Sequence, residues 1–386
     1  MTSPKALPVA ASDVGERAPS LDALRGLALF GVLLVNLVTA FRVSLFEQFL
    51  PAPPSSVADH AVARIITIAL EFKAYTLFAF LFGVGLAAQR ERTTSRGTAF
   101  GPYVTRRLVM LLAIGLFHMF VVWNGDILTL YAVTGLLAAP LLRLPMRALV
   151  PLSLALFVVQ VLPIPWPTPF VSYAAMTDHI ARARQVYGFG TFGEVFAFRI
   201  HETRPIAALL LWIVPRTLAL HLLGASAWRA GIFRGERHAL VVAIAALGVL
   251  VGGASMWTID AGVPLRGWRE LVSGWGAIAL ALGYAGLVVL AFHRERAARA
   301  LSLVAPLGRM ALTSYLTQSI VLGTLFYGYG YGLFGRLGVA RAAEIGVALY
   351  VAQAVLSALW LRRYRFGPVE WVWRSFTYGA RQPMRR

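Results

Sequence analysis

Residues 115 to 132 of the 386-residue chain read GLFHMFVVWNGDILTLYA, so that His118, Trp123 and Asp126 stand within a few positions of one another between two apolar stretches. An imidazole exchanges protons near neutral pH. A carboxylate bonded to one of its nitrogens fixes the tautomer and leaves the other nitrogen basic, so the pair is equipped for general-base work on a hydroxyl or amine. The same residues have plainer readings. Asp126 follows an Asn124-Gly125 turn and opens an apolar run, where an aspartate caps a helix by accepting backbone N–H bonds, and His118 also fits as a satisfied packing residue. Asn36 closes an earlier apolar run, and Glu71 and Lys73 open another. Being two positions apart, Glu71 and Lys73 do not face each other on a helix. Whether these groups share one depth depends on the elements that carry them.

Composition identifies those elements. Hydrophobic residues make up 58% of the chain and charged residues 14%, with a mean hydropathy of +0.69; soluble domains run at roughly 45 to 50% and about 25%. This is the composition of an all-α, polytopic membrane helix bundle. The net charge of +19 does not point to nucleic acid, because the arginines fall between apolar segments rather than on one face or tail. No cysteine is present, which excludes disulfides and thiolate metal sites, and no metal or bound cofactor is expected.

With about 20 residues per span as the ruler, helices are predicted near 24 to 42, 72 to 90, 104 to 122, 126 to 142, 146 to 163, 205 to 228, 238 to 257, 271 to 292, 310 to 327 and 342 to 361, about ten in all. Val57 to Gln89 is too long for one span, and its first half, with Arg64, is expected to be an interfacial helix. Arginines crowd alternate connections: Arg90, Arg92, Arg96, Arg106 and Arg107; Arg143 and Arg147; Arg229, Arg234 and Arg237; Arg294, Arg296 and Arg299; Arg362, Arg363 and Arg365. The positive-inside rule then puts both termini in the cytoplasm. The expected organisation is a disordered cytoplasmic tail (1–20), one transmembrane domain (21–379) split into 21–163 and 205–379 by an extracytoplasmic loop (164–204), and a basic tail (380–386), in a bacterial inner (cytoplasmic) membrane with the lipid bilayer as partner. In this topology Asn36, Glu71, Lys73, His118 and Asp126 gather at one depth at the outer ends of the first four spans. Charged groups cost about 2.5 to 3.5 kcal/mol at the bilayer centre, so those found there usually face a polar interior.

The segments LDALRGLALFGVLLVN (21 to 36), EFKAYTLFAFLFGVGLAAQRER (71 to 92), RRLVMLLAIGLFHMFVVWNGDILTLYAVTG (106 to 135), GRMALTSYLTQSIVLGTLFYGYGYGLFGR (308 to 336) and RFGPVEWVWRSFTYG (365 to 379) resemble the YeiB-like family of bacterial integral membrane proteins, domain of unknown function 418, from about Leu21 to Gly379. The first of them, with Asp22, Arg25 and Gly26, is also distantly similar to the opening helix of the transmembrane acyltransferase superfamily. That resemblance implies transfer of an acyl group from cytoplasmic acyl-CoA to an acceptor across the membrane. In the sugar O-acetyltransferases the residue eleven after the arginine is a catalytic histidine. Here it is Asn36, which leaves His118 as the histidine placed to act. Arg106 and Arg107 match the superfamily's basic pair, and arginine's planar fork suits a diphosphate.

These readings combine into one expectation. Acyl-CoA is held by Arg106 and Arg107 with Arg25 or Arg309; His118, oriented by Asp126 or Glu71, acts as base on a hydroxyl or amine; Asn36 donates to the oxyanion; Lys73 and Trp123 belong to the substrate-binding set. Arg106 and Arg107 equally suit topology anchors, and Arg25 a local ion pair with Asp22. Two other classes stay open: a small-molecule permease, favoured by interruptions such as Pro215 and Gly224 in the sixth span, and a lipid-binding envelope protein without catalysis. Trp371 and Trp373 point to an amphipathic interfacial anchor at the C-terminus. Gly83 and Gly85 are expected to permit close helix contact, and a second interfacial helix is expected near 191 to 203.

Overall fold

The computed structural model describes residues 18–50, 55–162 and 165–386; most of the expected N-terminal tail lies outside the described residues. Each apolar segment read from the sequence is helical, and no strand occurs among the described residues. In chain order the helices are α1 (Pro19–Asn36), α2 (Val57–Ala69), α3 (Lys73–Ser95), α4 (Phe100–Phe117), α5 (Leu128–Leu141), α6 (Met146–Val161), α7 (Tyr173–Phe189), α8 (Phe192–Arg229), α9 (His238–Asp260), α10 (Arg269–Ala291), α11 (Glu295–Ser302), α12 (Ala305–Arg309), α13 (Ala311–Phe326), α14 (Val339–Arg363) and α15 (Pro368–Tyr378). Seven helical stretches, 19–41, 57–95, 100–122, 192–229, 238–260, 269–291 and 339–363, are long and apolar enough to cross a membrane, and α5, α6 and α13 are shorter apolar helices among them.

The chain breaks between α2 and α3 at Leu70 to Phe72, where Phe72 takes a left-handed backbone (φ 60°). α2 packs on α14 and the end of α1, with Ile66 buried beside Val38 and Ala343; Arg64 Nε also donates to Asp260 at the end of α9 at 2.8 Å, and Asp59 accepts from the Ala340 N–H at 2.8 Å.

Apolar burial does not drive helix association inside lipid, so close approach of small residues must supply it. A Cβ on Gly83 would lie 2.0 Å from the His221 carbonyl oxygen, and one on Gly224 2.0 Å from that of Phe80. α3 and α8 therefore cross backbone to backbone. Gly224 is part of this crossing, and α8 runs through Pro215 and Gly224 uninterrupted.

Three expectations are corrected. The helix predicted near 191 to 203 and the span from 205 to 228 are one helix of 38 residues, started by a capping box of Thr191 and Glu194. At 1.5 Å per residue that is about 57 Å, nearly twice the roughly 30 Å hydrocarbon core, so its first turns stand outside the apolar layer. The 164–204 connection is correspondingly not a plain loop but carries α7. Finally, α15 folds back onto α4 and α13 instead of lying as a free interfacial anchor: Trp373 Nε1 donates to the Arg107 carbonyl at 2.7 Å, and Glu370 accepts from the Leu312 and Thr313 N–H groups at 2.8 and 3.0 Å.

Candidate functional site

At their C-terminal ends α1 and α4 both widen into π-helical turns, Leu37–Phe41 and His118–Val122. Such turns are rare and frequent at functional sites. Asn36 is the last residue before the first and His118 opens the second. Past it Trp123 is extended (φ −166°, ψ 130°), and the chain turns through Asn124 and Gly125 to bring Asp126 back under His118. His118 Nδ1 lies 2.8 Å from Asp126 Oδ1, and both side chains are fully buried. Asp126 Oδ2 accepts from the Thr129 N–H at 2.7 Å. Asp126 thus makes two contacts at once: one oxygen satisfies the first turn of α5, the other bonds the imidazole. With Nδ1 donating to the carboxylate, Nε2 carries the free lone pair, and it has no hydrogen-bond partner. The Tyr315 ring stands 5.0 Å from the imidazole and the Trp123 ring 6.2 Å, centroid to centroid.

On the arginine-rich side of this pair a cavity of about 350 Å³ opens. Its lining includes Arg25, Arg92, Arg96, Arg107, Arg309, Arg365 and Arg374 toward one end, and Phe82, Ile127, Leu128, Tyr131 and Tyr315 toward the other. The bundle is built to place these arginines. Gly26 and Gly308 pack α1 on α12 so closely that a Cβ on Gly308 would sit 1.8 Å from the Asp22 carbonyl oxygen, which sets Arg25 beside Arg309. The Arg107 guanidinium lies 3.6 Å over the Trp373 ring. The two carboxylates of the lining are already engaged: Asp22 accepts from Arg25 at 3.1 Å, and Glu370 takes the α13 N-terminal N–H groups and the Thr313 hydroxyl. Burial holds the Glu370 carboxyl above its ordinary range against these hydrogen bonds, and burial draws Arg309 below its own despite nearby Asp22. Arg309 Nε is buried without a partner. Such a lining is chemically suited to anions, since guanidinium forks make bidentate bonds to a phosphate or diphosphate.

A smaller cavity of about 80 Å³ lies on the outer side and shares three wall residues, Val32, Ile127 and Tyr315, with the large one. Asn36 and Gly125 belong to it.

The structure brings together most of the residues singled out in the sequence. His118 and Asp126 are bonded, Asn36 lines the outer cavity, and Arg25, Arg107 and Arg309 line the large one. Trp123 is 2% exposed and stacks on Phe41 at 4.4 Å, backing the pair without lining either cavity. Arg106 is exposed and lines neither cavity. Glu71 does not orient His118, a role that falls to Asp126. It sits in the α2–α3 turn with Lys73, whose buried Nζ donates to the Thr67 carbonyl at 2.9 Å.

Sequence reasoning passed over Tyr315, which hid among apolar neighbours in GRMALTSYL, and a second polar cluster on α7 and α8. There Glu202, 3% exposed, accepts from Asn124 and Tyr187, with His179 Nε2 at 2.8 Å, and Arg199, 1% exposed, donates to the Val121 carbonyl at 2.7 Å. This cluster holds the His118–Asp126 loop from outside. Its only sequence signal is the density of charged residues in the 164–204 connection, which reads as a loop apart from the helix near 191 to 203.

Fold and site together define a helical, membrane-embedded bundle with a buried histidine–aspartate pair behind a basic cavity. The family profile described as "Protein of unknown function (DUF418)" matches residues 227–380. Over 96% of both chains, this one is 32% identical to YxaH of Bacillus subtilis (strain 168). It is 29% identical to YeiB of Escherichia coli (strain K12) over 95% of this chain and 98% of that one, and 28% identical over 96% of each to a 39.9 kDa protein encoded in the amylase 3′ region of Bacillus acidopullulyticus. The chain belongs to the YeiB-like DUF418 family.

Proposed function

We propose that this protein transfers an acyl group from acyl-CoA on the arginine side to a hydroxyl or amine acceptor on the other side of a bacterial cytoplasmic membrane. The observation that carries the reading is the large cavity, whose arginine-lined end is suited to the donor's phosphates and whose apolar end stops at Tyr315, directly in front of His118. The positive-inside rule assigns that arginine end to the cytoplasm.

The chemistry follows from the free lone pair on His118 Nε2. As the acceptor oxygen or nitrogen attacks the thioester carbonyl, Nε2 takes its proton and Asp126 stabilises the resulting imidazolium. The carbon–sulfur bond then breaks, the proton passes to the departing thiolate, and the products are an ester or amide and a free thiol. Asn36, in the wall of the smaller cavity beside Tyr315, supplies the side-chain amide that donates to the carbonyl oxygen as charge develops on it. The Tyr315 ring must turn aside for the carbonyl to reach Nε2.

One observation favours a permease instead: two cavities abut at Val32, Ile127 and Tyr315, where a shift of helices could join them into a path. Acetyl-CoA binding and thiol release by purified protein in detergent separate the two. We expect binding that is lost in Arg107→Ala/Arg309→Ala, and thiol release that is lost in His118→Ala. Folded protein that binds no acetyl-CoA would remove the proposed donor and turn the work to solute uptake in proteoliposomes.

A further inference from the structure

The smaller cavity has a direction, and the direction points to the kind of acceptor. Along the bundle axis its outward side is sealed: Trp123 stacks on Phe41 at 4.4 Å, Phe41 on Tyr327 at 5.8 Å and Tyr327 on Tyr187 at 4.8 Å. All four side chains are at most 4% exposed. Behind this stack lie the Glu202 cluster and α7, so a water-borne acceptor has no straight path to Asn36. Sideways the wall is different. Between the end of α1 and the start of α3 the cavity is bounded by Val35, Leu70 and Phe72. Val35 and Leu70 are half-buried and Phe72 is 45% exposed, and Phe72 is held in a left-handed conformation that a non-glycine residue adopts only under constraint.

This flank also marks a boundary between apolar and polar surroundings. Glu71 lies within it in sequence, and Arg64 and Asp59 of the adjoining α2 are both exposed or at the surface, whereas the cavity wall is apolar except for Asn36, Tyr75 and Tyr315. The Tyr75 hydroxyl is engaged with Thr217. A molecule reaching Asn36 and Tyr315 by this route therefore passes at the depth where hydrocarbon gives way to headgroups.

Building on the transfer reading, we infer that the smaller cavity is the acceptor site and that it is reached laterally from the outer leaflet by an amphiphile. The molecule carries its hydroxyl or amine on the polar end, which enters between Val35, Leu70 and Phe72, while its hydrocarbon stays in the lipid. The septum of Val32, Ile127 and Tyr315 is then all that separates acceptor from donor.

The test uses a photoactivatable dodecanol with its diazirine beside the hydroxyl, added to phosphatidylcholine vesicles containing the full chain and no acyl-CoA. We expect labelling of peptides holding residues 32–36 and 70–75 that saturates with probe concentration and is displaced by plain dodecanol. The saturable part should vanish in Val35→Trp, and in Leu70→Trp should the first variant not fold. Labelling that rises linearly with probe, resists competition and matches that of the exposed Leu250 on α9 would overturn the inference, as would saturable labelling left intact by both tryptophans. Because no donor is present, this outcome is read independently of acetyl-CoA binding.

Discussion

At the arginine end of the bundle, seven guanidinium groups among the described residues surround an open cavity whose two carboxylates are both engaged, Asp22 with Arg25 and Glu370 with the start of α13. At the outer end the ionisable groups are fewer, buried and bonded: His118 to Asp126, and Glu202 to Asn124, Tyr187 and His179. The contrast follows from solvent. Arginines at an open mouth keep part of their hydration, so one that already has a partner, as Arg25 has in Asp22, can still turn to an anion. A buried ionisable group must be satisfied internally, at a penalty of several kcal/mol otherwise. Arg199 Nε and Arg309 Nε are also buried without a partner, but a guanidinium holds its protons whereas an imidazole exchanges one near neutral pH, so the unpartnered His118 Nε2 is the stronger sign of chemistry.

The most severe way to break the comparison is to remove that nitrogen. General-base catalysis contributes about 10² to 10⁴ in rate, so His118→Ala should lose that much thiol release while binding acetyl-CoA as wild type does. If the two fall together, His118 supports the fold and not the reaction. The next effect belongs to the arginine end. A hydrogen bond to a charged group contributes about 1.5 to 3 kcal/mol, or roughly 10- to 100-fold in affinity. Arg107→Ala should weaken acetyl-CoA binding on that scale, and Arg106→Ala should leave it near wild type. Equal losses from both would mean that the charge of the mouth, and not its geometry, holds the donor.

That last pair shows where sequence stops being informative. The presence of both arginines was legible from the charge pattern, but adjacent helical residues point about 100° apart, and only packing against α15 decides that Arg107 faces inward. The ten apolar helices were legible because each is an apolar run, whereas α7, with Asp178, His179, Arg182 and Arg184, was not. The α15 fold-back was not, since an amphipathic stretch with Trp371 and Trp373 suits an interface as well as a protein groove. His118 and Asp126 were legible as polar residues in apolar surroundings; that both roles of Asp126 are met at once depends on a π-helical turn without a sequence signature. The orientation of Glu71 was not legible, because it falls in a turn, where helical periodicity carries no information. Tyr315 was illegible because an aromatic residue in a membrane helix is ordinarily packing.

The mildest expected effect concerns the join between the two regions. Glu370 of α15 caps the start of α13, the helix that carries Tyr315, and also lines the basic cavity. Its carboxyl is held above the ordinary range by burial. A raised folded-state pKa favours the protonated form in the native protein, so this group's contribution to stability is complete below its unfolded value of about 4.3 and is lost as pH rises through the folded value. The apparent unfolding midpoint of wild type, measured at one scan rate in detergent, should therefore fall relative to that of Glu370→Gln as pH increases from acid toward neutral. The amide keeps an oxygen for the Leu312 and Thr313 N–H groups and cannot ionise. Parallel midpoints across that range would show that Glu370 does not titrate there. The same proton bears on the mouth: a neutral Glu370 leaves the arginines uncompensated and an ionised one offsets part of their charge, so wild-type affinity for acetyl-CoA should decline with pH more steeply than that of Glu370→Gln.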